Sequence, residues 1–388
     1  DFWVRKGGFS VGGEREAQQP AIFMTGLWYA SQFLRDGATG TAREKWDYFE
    51  QFGDYYERRV NEHGGMIPTA EEWICFVPAL SSWPNSEIYS GLITASKTAQ
   101  LLGKKDKAQR WSAAAQKLQA DFLAKAYDTQ LGRFIPLAGK PGELFVDPKH
   151  PDIKNYNGPL RDTRVDAGML QVARLEFFGE GQGIVAADDP RFLSTEKQIY
   201  EQISDGKHGI DRFGPNPDSP HQPGGEKNPW PQLMCWSAQL HTLRGDRAVA
   251  WQWLDKGILQ STVFSLEKNL WRLPEFWTPG GQPSPASIFP WSCGELVTSV
   301  IFLFTGLEFA PEGADIALSP WLPQGMNTAE LSPLAFKNWE LSLKIKRDGA
   351  AIKTELSAKH IKGDACAVLR VKTPQGIQTL SSGQTLSF

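Results

Sequence analysis

Apolar residues recur at helical spacing along most of the chain between residues 17 and 307. In the segment 20–34, for example, they return every three or four positions, as on one buried face of a helix. The segments 86–102 and 106–127 are separated only by Gly103-Lys104-Lys105, a short turn that ends a helix. The pattern predicts helices at 20–34, 42–60, 86–102, 106–127, 166–177, 194–204, 230–243, 248–264 and 292–304.

Long loops rich in Pro, Gly and Trp follow after every second helix, at 64–86, 128–163, 207–229 and 266–290. Loops of this length in a compact domain are usually functional. Because they recur with the helical pairs, we expect them to gather at one end of a helical barrel. The prediction is a mainly α protein with an (α/α)6 toroid-type barrel of helical hairpins and a pocket formed by the loops.

The pattern changes after Gly306. From Trp339 to Ile345 apolar and polar residues alternate, as in a half-buried strand, and Arg347-Asp348-Gly349 is a hairpin signal. Further strands are predicted at 352–356, 367–371 and 377–380. We therefore expect an α/α-barrel catalytic domain over residues 1–308 and a C-terminal antiparallel β domain over residues 309–388.

Composition narrows the function classes. The 388 residues are 41% hydrophobic, enough for a sizeable core, and the net charge of −3 offers no basic face for nucleic acid or an anionic membrane. No apolar run is long enough to span a bilayer. The chain begins at Asp1 without a signal-like segment, so we expect a processed or trimmed N-terminus. The compartment stays open, with the periplasm or the extracellular space slightly favoured.

Cysteine and histidine spacing gives no indication of a metal site. The four cysteines, at 75, 235, 293 and 366, form no CxxC pair, and the six histidines form no HExxH. Cys235 and Cys293 lie in apolar runs and are expected to be buried thiols. We expect neither a metal nor a cofactor.

Tryptophan is unusually frequent, with 15 Trp against 8 Tyr. More than half of these rings are expected in the core, but flat rings also stack on the apolar faces of pyranoses. Glu275 lies between Leu273-Pro274 and Phe276-Trp277, and two further glutamates, Glu71-Glu72, precede Trp73. Most glycoside hydrolases need a pair of carboxyl groups, and here two loops could each supply one. The sequence therefore indicates a carbohydrate substrate.

Short segments that occur in one order over roughly residues 12–305 carry a family resemblance. They are Pro20-Ala21, Leu34-Arg35-Asp36-Gly37, Gly65 to Glu72, Arg164-Val165-Asp166-Ala167, Asp188-Asp189-Pro190, Ser194-Thr195, Gly209-Ile210-Asp211-Arg212-Phe213, Asn228-Pro229-Trp230, Pro274-Glu275 and Pro290-Trp291-Ser292. Their order and spacing resemble the glucoamylase family of inverting α-glucoside hydrolases, which is built on an (α/α)6 barrel.

This resemblance implies roles for the acidic residues. Glu275 would be the general base that activates a water, and Glu71 would be the general acid that protonates the glycosidic oxygen. Glu72 is the alternative acid, because Trp73 follows the pair whereas the family's Trp precedes it, and otherwise Glu72 contacts substrate. Burial against Trp73 and nearby rings is expected to raise the pKa of the acid.

The resemblance also implies substrate contacts. Arg212 would donate a fork of hydrogen bonds to sugar hydroxyls, or it would form a structural ion pair with Asp211 or Asp166. Trp230, Trp291 and Trp73 would be stacking platforms or pocket walls, with core packing as the alternative.

Two further acidic residues, Asp166 and Glu295, are expected to have roles other than catalysis. Asp166 is expected to cap or brace a helix start. Glu295, one turn into the last helix, is expected at the pocket rim or beside a charge partner.

Two departures from the family pattern concern sugar binding. The family's first hairpin carries a Trp-x-Arg-Asp segment, and Trp3-Val4-Arg5-Lys6 has Lys where Asp is expected. Gln19 replaces the Asp that often precedes Pro-Ala. We expect that the chain starts downstream of that hairpin, leaving a barrel that is open or completed by other sequence.

Three functions fit these observations. The first is an exo-acting inverting hydrolase of terminal α-glucosidic bonds, because a pocket closed at one end admits only a chain terminus. The second is another α/α-toroid glycosidase or a phosphorylase, although Arg272 is the one basic residue beside Glu275. The third is a non-catalytic carbohydrate-binding relative.

Overall fold

The computed structural model describes residues 18–34, 37–71, 75–139, 161–204, 209–215, 224–255, 258, 273–278, 283–284, 289–309, 313–361 and 368–388, without the side chains of 70–71 and 75–78. Ten α-helices lie within these ranges. They are α1 (Gln19–Ser31), α2 (Gly37–Glu44), α3 (Trp46–His63), α4 (Ser82–Leu101), α5 (Lys105–Lys125), α6 (Gln171–Arg174), α7 (Pro190–Ile203), α8 (Pro231–Leu243), α9 (Arg247–Leu254) and α10 (Pro290–Thr305).

Two layers of helices are distinguished by how they are buried. Residues 231–240 of α8 are all buried, and most of α4 is buried on every side. In α5 only one stripe is buried, running from Trp111 to Phe122. A helix enclosed all round lies inside the fold, and one with a single apolar stripe lies outside. The pair α4–α5 turns at Gly103, whose positive φ of 73° favours glycine.

The prediction of one continuous helix at 42–60 is wrong. Lys45 leaves helical geometry (φ −106°, ψ 16°) and separates α2 from α3. Just beyond this break, the ring of Trp46 lies 5.9 Å from that of Trp111 on α5, and the Lys104 ammonium lies 4.5 Å from the Trp46 ring. Packing between helices overrides the local periodicity here.

The predicted helix at 166–177 is also wrong in its form. Its residues form a 3-10 turn (Ala167–Leu170), the short helix α6 and a second 3-10 turn (Leu175–Phe178). The segment is tied at its start to another loop rather than to a preceding helical turn. The second half of the predicted helix 248–264 lies almost wholly outside the described residues.

Short strands occupy parts of the predicted loops. They form the pairs β1 (Thr69–Glu71) with β2 (Cys75–Ala79), β3 (Tyr127–Asp128) with β4 (Arg133–Phe134), and β5 (Leu137–Ala138) with β6 (Arg161–Asp162).

The C-terminal part contains two four-stranded sheets. Their strands are β7 (Glu308–Phe309), β8 (Ile316–Ala317), β9 (Thr328–Phe336), β10 (Trp339–Asp348), β11 (Ala351–His360), β12 (Val368–Thr373), β13 (Gly376–Ser381) and β14 (Thr385–Ser387). The first sheet has the order β14-β11-β10-β9 and is antiparallel, with the predicted turn at Gly349. Alternate residues of β10, including Leu341 and Ile345, are buried as the period-two pattern predicts.

The second sheet corrects the expectation of a wholly antiparallel domain. Its order is β13-β12-β8-β7, and β8 pairs with β12 in parallel, with Val371 opposite Ile316. Three strands of the first sheet, β9 to β11, lie between β8 and β12 in the chain, and this long connection permits a parallel pair. The boundary at residues 308 and 309 stays a prediction.

The helical and β parts are in contact. The Lys337 amide donates to the Phe33 carbonyl at 2.7 Å, and the Phe309 ring lies 4.8 Å from that of Phe33. Among the residues that the structure describes, no helix is long and apolar enough to cross a bilayer.

Candidate functional site

Backbone hydrogen bonds hold several distant loop segments side by side. Each segment carries a residue that the sequence singled out or a polar neighbour of one. Short antiparallel bridges join residue 166 to 213, 211 to 229 and 277 to 283. The connecting bonds are Ala167 N to Arg212 O (2.8 Å), Glu226 N to Phe213 O (2.9 Å), Trp230 N to Ile210 O (3.0 Å) and Trp277 N to Pro229 O (2.9 Å). The loops of Asp166, Arg212, Glu226 and Glu275 therefore form one site.

Arg212 is buried in this site, with 2% of its surface exposed. Its guanidinium carbon lies 4.2 Å from the Trp83 ring, and its Nη1 lies 3.0 Å from Asp166 Oδ1. The structural ion pair is thus made with Asp166. The plane of the guanidinium is held by a ring on one side and a carboxylate at its edge, which a Lys ammonium could not reproduce.

Asp166 braces the start of its 3-10 turn, as expected. Its Oδ1 accepts a hydrogen bond from the Gly168 amide at 2.6 Å. Burial raises the pKa of Asp166 above its ordinary value, while Arg212, the Gly168 amide and Arg164 oppose the rise. Arg164 is itself paired with Asp162 at 2.6 Å.

Glu226 is a candidate residue that sequence reasoning missed. It is 7% exposed, and the Asn228 side-chain amide donates to its Oε1 at 3.3 Å. Burial raises the pKa of Glu226; Asn228, Trp230 and Arg212 lower it, and Glu275 adds to the rise. Its signal in the sequence was its place two residues before Asn228-Pro229-Trp230.

Glu275 is partly exposed, between the buried residues Leu273 and Trp277. The bonds from Trp277 N to Pro229 O and from Glu226 N to Phe213 O hold the loops of Glu275, Glu226 and Arg212 side by side, and the charge of Glu275 adds to the rise of the Glu226 pKa. The site thus contains two carboxyl groups in different surroundings, one partly exposed and one buried with its pKa raised by burial. This division suits acid–base chemistry.

Three indole rings, Trp83, Trp236 and Trp291, form a group that we call the indole cluster. The Trp236 ring lies 5.4 Å from Trp83 and 6.5 Å from Trp291, and Trp83 and Trp291 lie 6.4 Å apart. Trp236 is fully buried and Trp291 is 43% exposed. The sequence predicted a role for Trp291 only. Trp83 had one signal, its place before Pro84 at the start of α4.

The other aromatic residue predicted here, Trp230, is buried with 7% of its surface exposed. Its ring lies 5.7 Å from that of Phe276, next to Glu275. Trp277, which the sequence did not single out as a contact, is also 7% exposed.

Glu295 lies beside a charge partner, the buried Arg174. Cys235 is a buried thiol, and Cys293 is a half-buried one. Within the described ranges, no group of three or more His, Cys, Asp or Glu side chains could hold a metal ion.

The predicted acid motif is only partly described. The backbone of Glu71 belongs to β1, opposite Cys75 of β2. The side chain of Glu71, and all of Glu72 and Trp73, lie outside the described residues. Their assignment stays a prediction.

Comparison with known proteins finds similarity in structure but none in sequence. No family model matches the chain, and no curated protein matches it in sequence. Among solved structures, it is similar to a GH78 family rhamnosidase of Bacillus sp. GL1 (14% identity, TM-score 0.60), covering 92% of this chain and 33% of that one. It is also similar to a sialidase (12%, TM-score 0.61, 94% and 31%) and to an alpha-L-rhamnosidase from Dictyoglumus thermophilum (12%, TM-score 0.56, 94% and 38%).

The chain spans about a third of the length of each of these proteins. At this identity the likeness shows the fold alone, in which helices precede a C-terminal β part. The described helices do not by themselves show that the barrel is closed. The resemblance to glucoamylases in particular stays a prediction.

Proposed function

We propose that this chain is an exo-acting inverting glycoside hydrolase that cleaves terminal α-glucosidic bonds of oligo- or polysaccharides. The observation that supports it most is the pairing of the Glu275 loop with the loops of Arg212 and Glu226. Through this pairing a partly exposed carboxylate, a buried carboxyl and a stacked guanidinium share one site. The glycosidase-like fold supports the reaction class.

In the proposed reaction Glu275 removes a proton from a water molecule, whose oxygen attacks the anomeric carbon. Glu71, or Glu72 in its place, gives its proton to the glycosidic oxygen as the bond to the leaving sugar breaks. The water approaches opposite the leaving group, so an α-glucoside gives a β-sugar. This geometry requires carboxyl groups about 6.5–9.5 Å apart, with room for the water between them.

The substrate contacts follow from the same loops. Arg212, whose plane is already fixed by Trp83 and Asp166, would orient sugar hydroxyls without losing much side-chain freedom. Trp291 offers an exposed ring for stacking on a pyranose. Trp230 and Trp73 would complete the walls.

The roles of the carboxylates are tested by Glu275→Gln, which keeps the size of the side chain but cannot accept a proton. Turnover of an α-linked oligosaccharide should fall about 10²–10⁴-fold, the usual contribution of general acid–base catalysis. Glu340→Gln, at an exposed position of β10, is the matched control and should retain full activity. Activity of Glu275→Gln equal to that of the control would refute the base assignment.

The same substrates separate the alternatives. A phosphorylase would cleave only when inorganic phosphate is added and would release a sugar phosphate. A non-catalytic relative would bind the oligosaccharide in calorimetry without turnover, and Glu275→Gln would leave that binding intact.

A further inference from the structure

All three rings of the indole cluster donate their N–H group to a buried carboxylate. Trp236 Nε1 donates to Glu295 Oε1 at 3.3 Å, and for the other two rings the carboxylate lies one turn further along the same helix. Trp83 Nε1 donates to Glu87 Oε1 at 2.7 Å, and Trp291 Nε1 donates to Glu295 Oε1 at 3.3 Å. Glu87 is 3% exposed and Glu295 is 7% exposed. Each carboxylate therefore fixes how its ring is turned about the helix that carries it.

The two carboxylates are joined by side chains from a third element, α6. Gln171 Nε2 donates to Glu87 Oε1 at 3.0 Å, and Arg174 Nη1 donates to Gln171 Oε1 at 2.8 Å. Arg174 Nη2 then forms an ion pair with Glu295. We call Glu87–Gln171–Arg174–Glu295 the polar chain. It runs without interruption from the Trp83 indole to the Trp291 indole, through α4, α6 and α10.

A fourth helix holds the centre of the polar chain. Gln239 of α8 accepts from Arg174 Nε at 2.8 Å and donates to Glu295 Oε2 at 2.7 Å. The Arg174 guanidinium also lies 4.8 Å from the ring of Trp236, the third member of the indole cluster. Each of the three guanidinium nitrogens of Arg174 thus has a hydrogen-bond or ion-pair partner, and the Trp236 ring lies beside the guanidinium group.

Charges so deeply buried do not follow from packing alone. Removing an arginine and a glutamate from water is costly, and well-packed apolar residues of similar size often stabilise a core as well or better. What a saturated polar network adds is a single geometry, since every member must keep its orientation to satisfy its neighbours. The groups that this one orients are indoles, and one of them lies under Arg212.

We propose that the polar chain is a positioning device that sets Trp83 and Trp291 as two coupled walls of the sugar site. The inference rests on the proposed function for its substrate, but the orientation of the rings does not depend on that function. Trp83 becomes a wall beneath Arg212, and Trp291 becomes the exposed face for a sugar ring. Arg174 acts through both and touches neither substrate nor reacting atoms.

The test removes both partners of the buried ion pair in the polar chain. In Arg174→Met/Glu295→Gln neither Arg174 nor Glu295 is left as a buried charge without its partner, so this variant is expected to fold even if Arg174→Met alone does not. KM for the α-linked oligosaccharide should rise about 5- to 10-fold, the equivalent of one net hydrogen bond or somewhat more, while kcat changes less than about threefold. Ser299→Ala is the control: it loses the contacts of its hydroxyl to Gln239 and to the backbone carbonyls of Glu295 and Cys235, but it touches no indole, and it should match the wild type.

A structural role alone would not couple Arg174 to a particular ring. Trp291→Phe keeps a ring but removes the N–H donor, and it should raise KM in the wild type. In the double variant the same change should have a smaller effect, because the acceptor of that N–H group is then an uncharged amide oxygen without the Arg174 guanidinium to fix its orientation. Additive effects on KM, or an unchanged KM in a folded double variant, would overturn the proposal.

A measurement without substrate keeps the proposal separate from the proposed function. The near-ultraviolet circular dichroism of the indoles should change in the double variant and not in Ser299→Ala. If the wild type neither binds nor cleaves oligosaccharide but this change is seen, the proposed function fails and the positioning of the rings stands. An unchanged spectrum overturns the positioning itself.

Discussion

Gly168 is the position at which one added methyl group should disturb the candidate site most directly. A Cβ atom there would lie 2.2 Å from Arg212 Nη1 and 2.8 Å from Cε3 of Trp83. Arg212 is a long side chain, but it is buried between this ring and Asp166 and cannot move aside without losing one of these contacts. Gly168→Ala should therefore displace the guanidinium from its ring.

The expected cost lies between two limits. If the surrounding residues shift slightly and keep the ion pair, the substitution costs about 1–3 kcal/mol, as overpacking usually does. If Arg212 loses Asp166, a buried charge is left without its partner, and the cost approaches about 3–5 kcal/mol. With the usual unfolding entropy per residue, these amounts should lower the melting temperature of the 388-residue chain by about 1–6 °C. KM should rise in the same variant.

The matched control is Gly294→Ala in α10, where an added Cβ meets nothing within 4 Å. Replacing glycine by alanine inside a helix should stabilise the protein by about 0.5–1 kcal/mol. Thermal unfolding and oligosaccharide kinetics of both variants check the argument. If Gly168→Ala melts and binds substrate like the wild type, the close packing of Arg212 on Gly168 and Trp83 is refuted.

Two further substitutions test the electrostatics and the packing. Burial raises the folded-state pKa of Glu226 above its ordinary 4.5, so the wild type should lose stability relative to Glu226→Gln as the pH rises from 4.5 through the raised pKa. If urea unfolding shows the wild type gaining stability relative to Glu226→Gln over this rise in pH, the burial argument is contradicted. Gly91→Ala would place a Cβ 2.8 Å from the backbone Cα of Ala21, so α1 must move away from α4 at a cost of about 1–3 kcal/mol. Gly26→Ala is the control, because its added Cβ meets nothing within 4 Å. Equal melting temperatures of the two variants would contradict the close approach of the two helices.

The spacing of apolar residues correctly predicted those elements whose form depends mainly on their own sequence. The alternation from Trp339 to Ile345 became β10 with its inner face buried. The break at Lys45 and the 3-10 turns around α6 escaped prediction because contacts between distant segments decide them. The parallel pair of β8 and β12 likewise depends on a connection that no local pattern encodes.

The candidate site was predictable where a residue stood in a recognisable segment. Arg212 and Trp291 were singled out in this way and stay predicted substrate contacts, and the ion pair to Asp166 was one of two that the sequence left open. Glu226 and Trp83 were missed because their relation to Glu275 and Arg212 arises from loop pairing and helix packing. The polar chain was invisible for the same reason, since its members come from different helices.

The configuration of the first sugar released tests the central claim most directly. Proton NMR recorded within the first minutes of cleavage of α- and β-linked disaccharides separates the two anomers before mutarotation mixes them. The account predicts β-glucose from an α-glucoside and no cleavage of β-linkages. Initial release of α-glucose, or cleavage of β-linked substrates only, would contradict it.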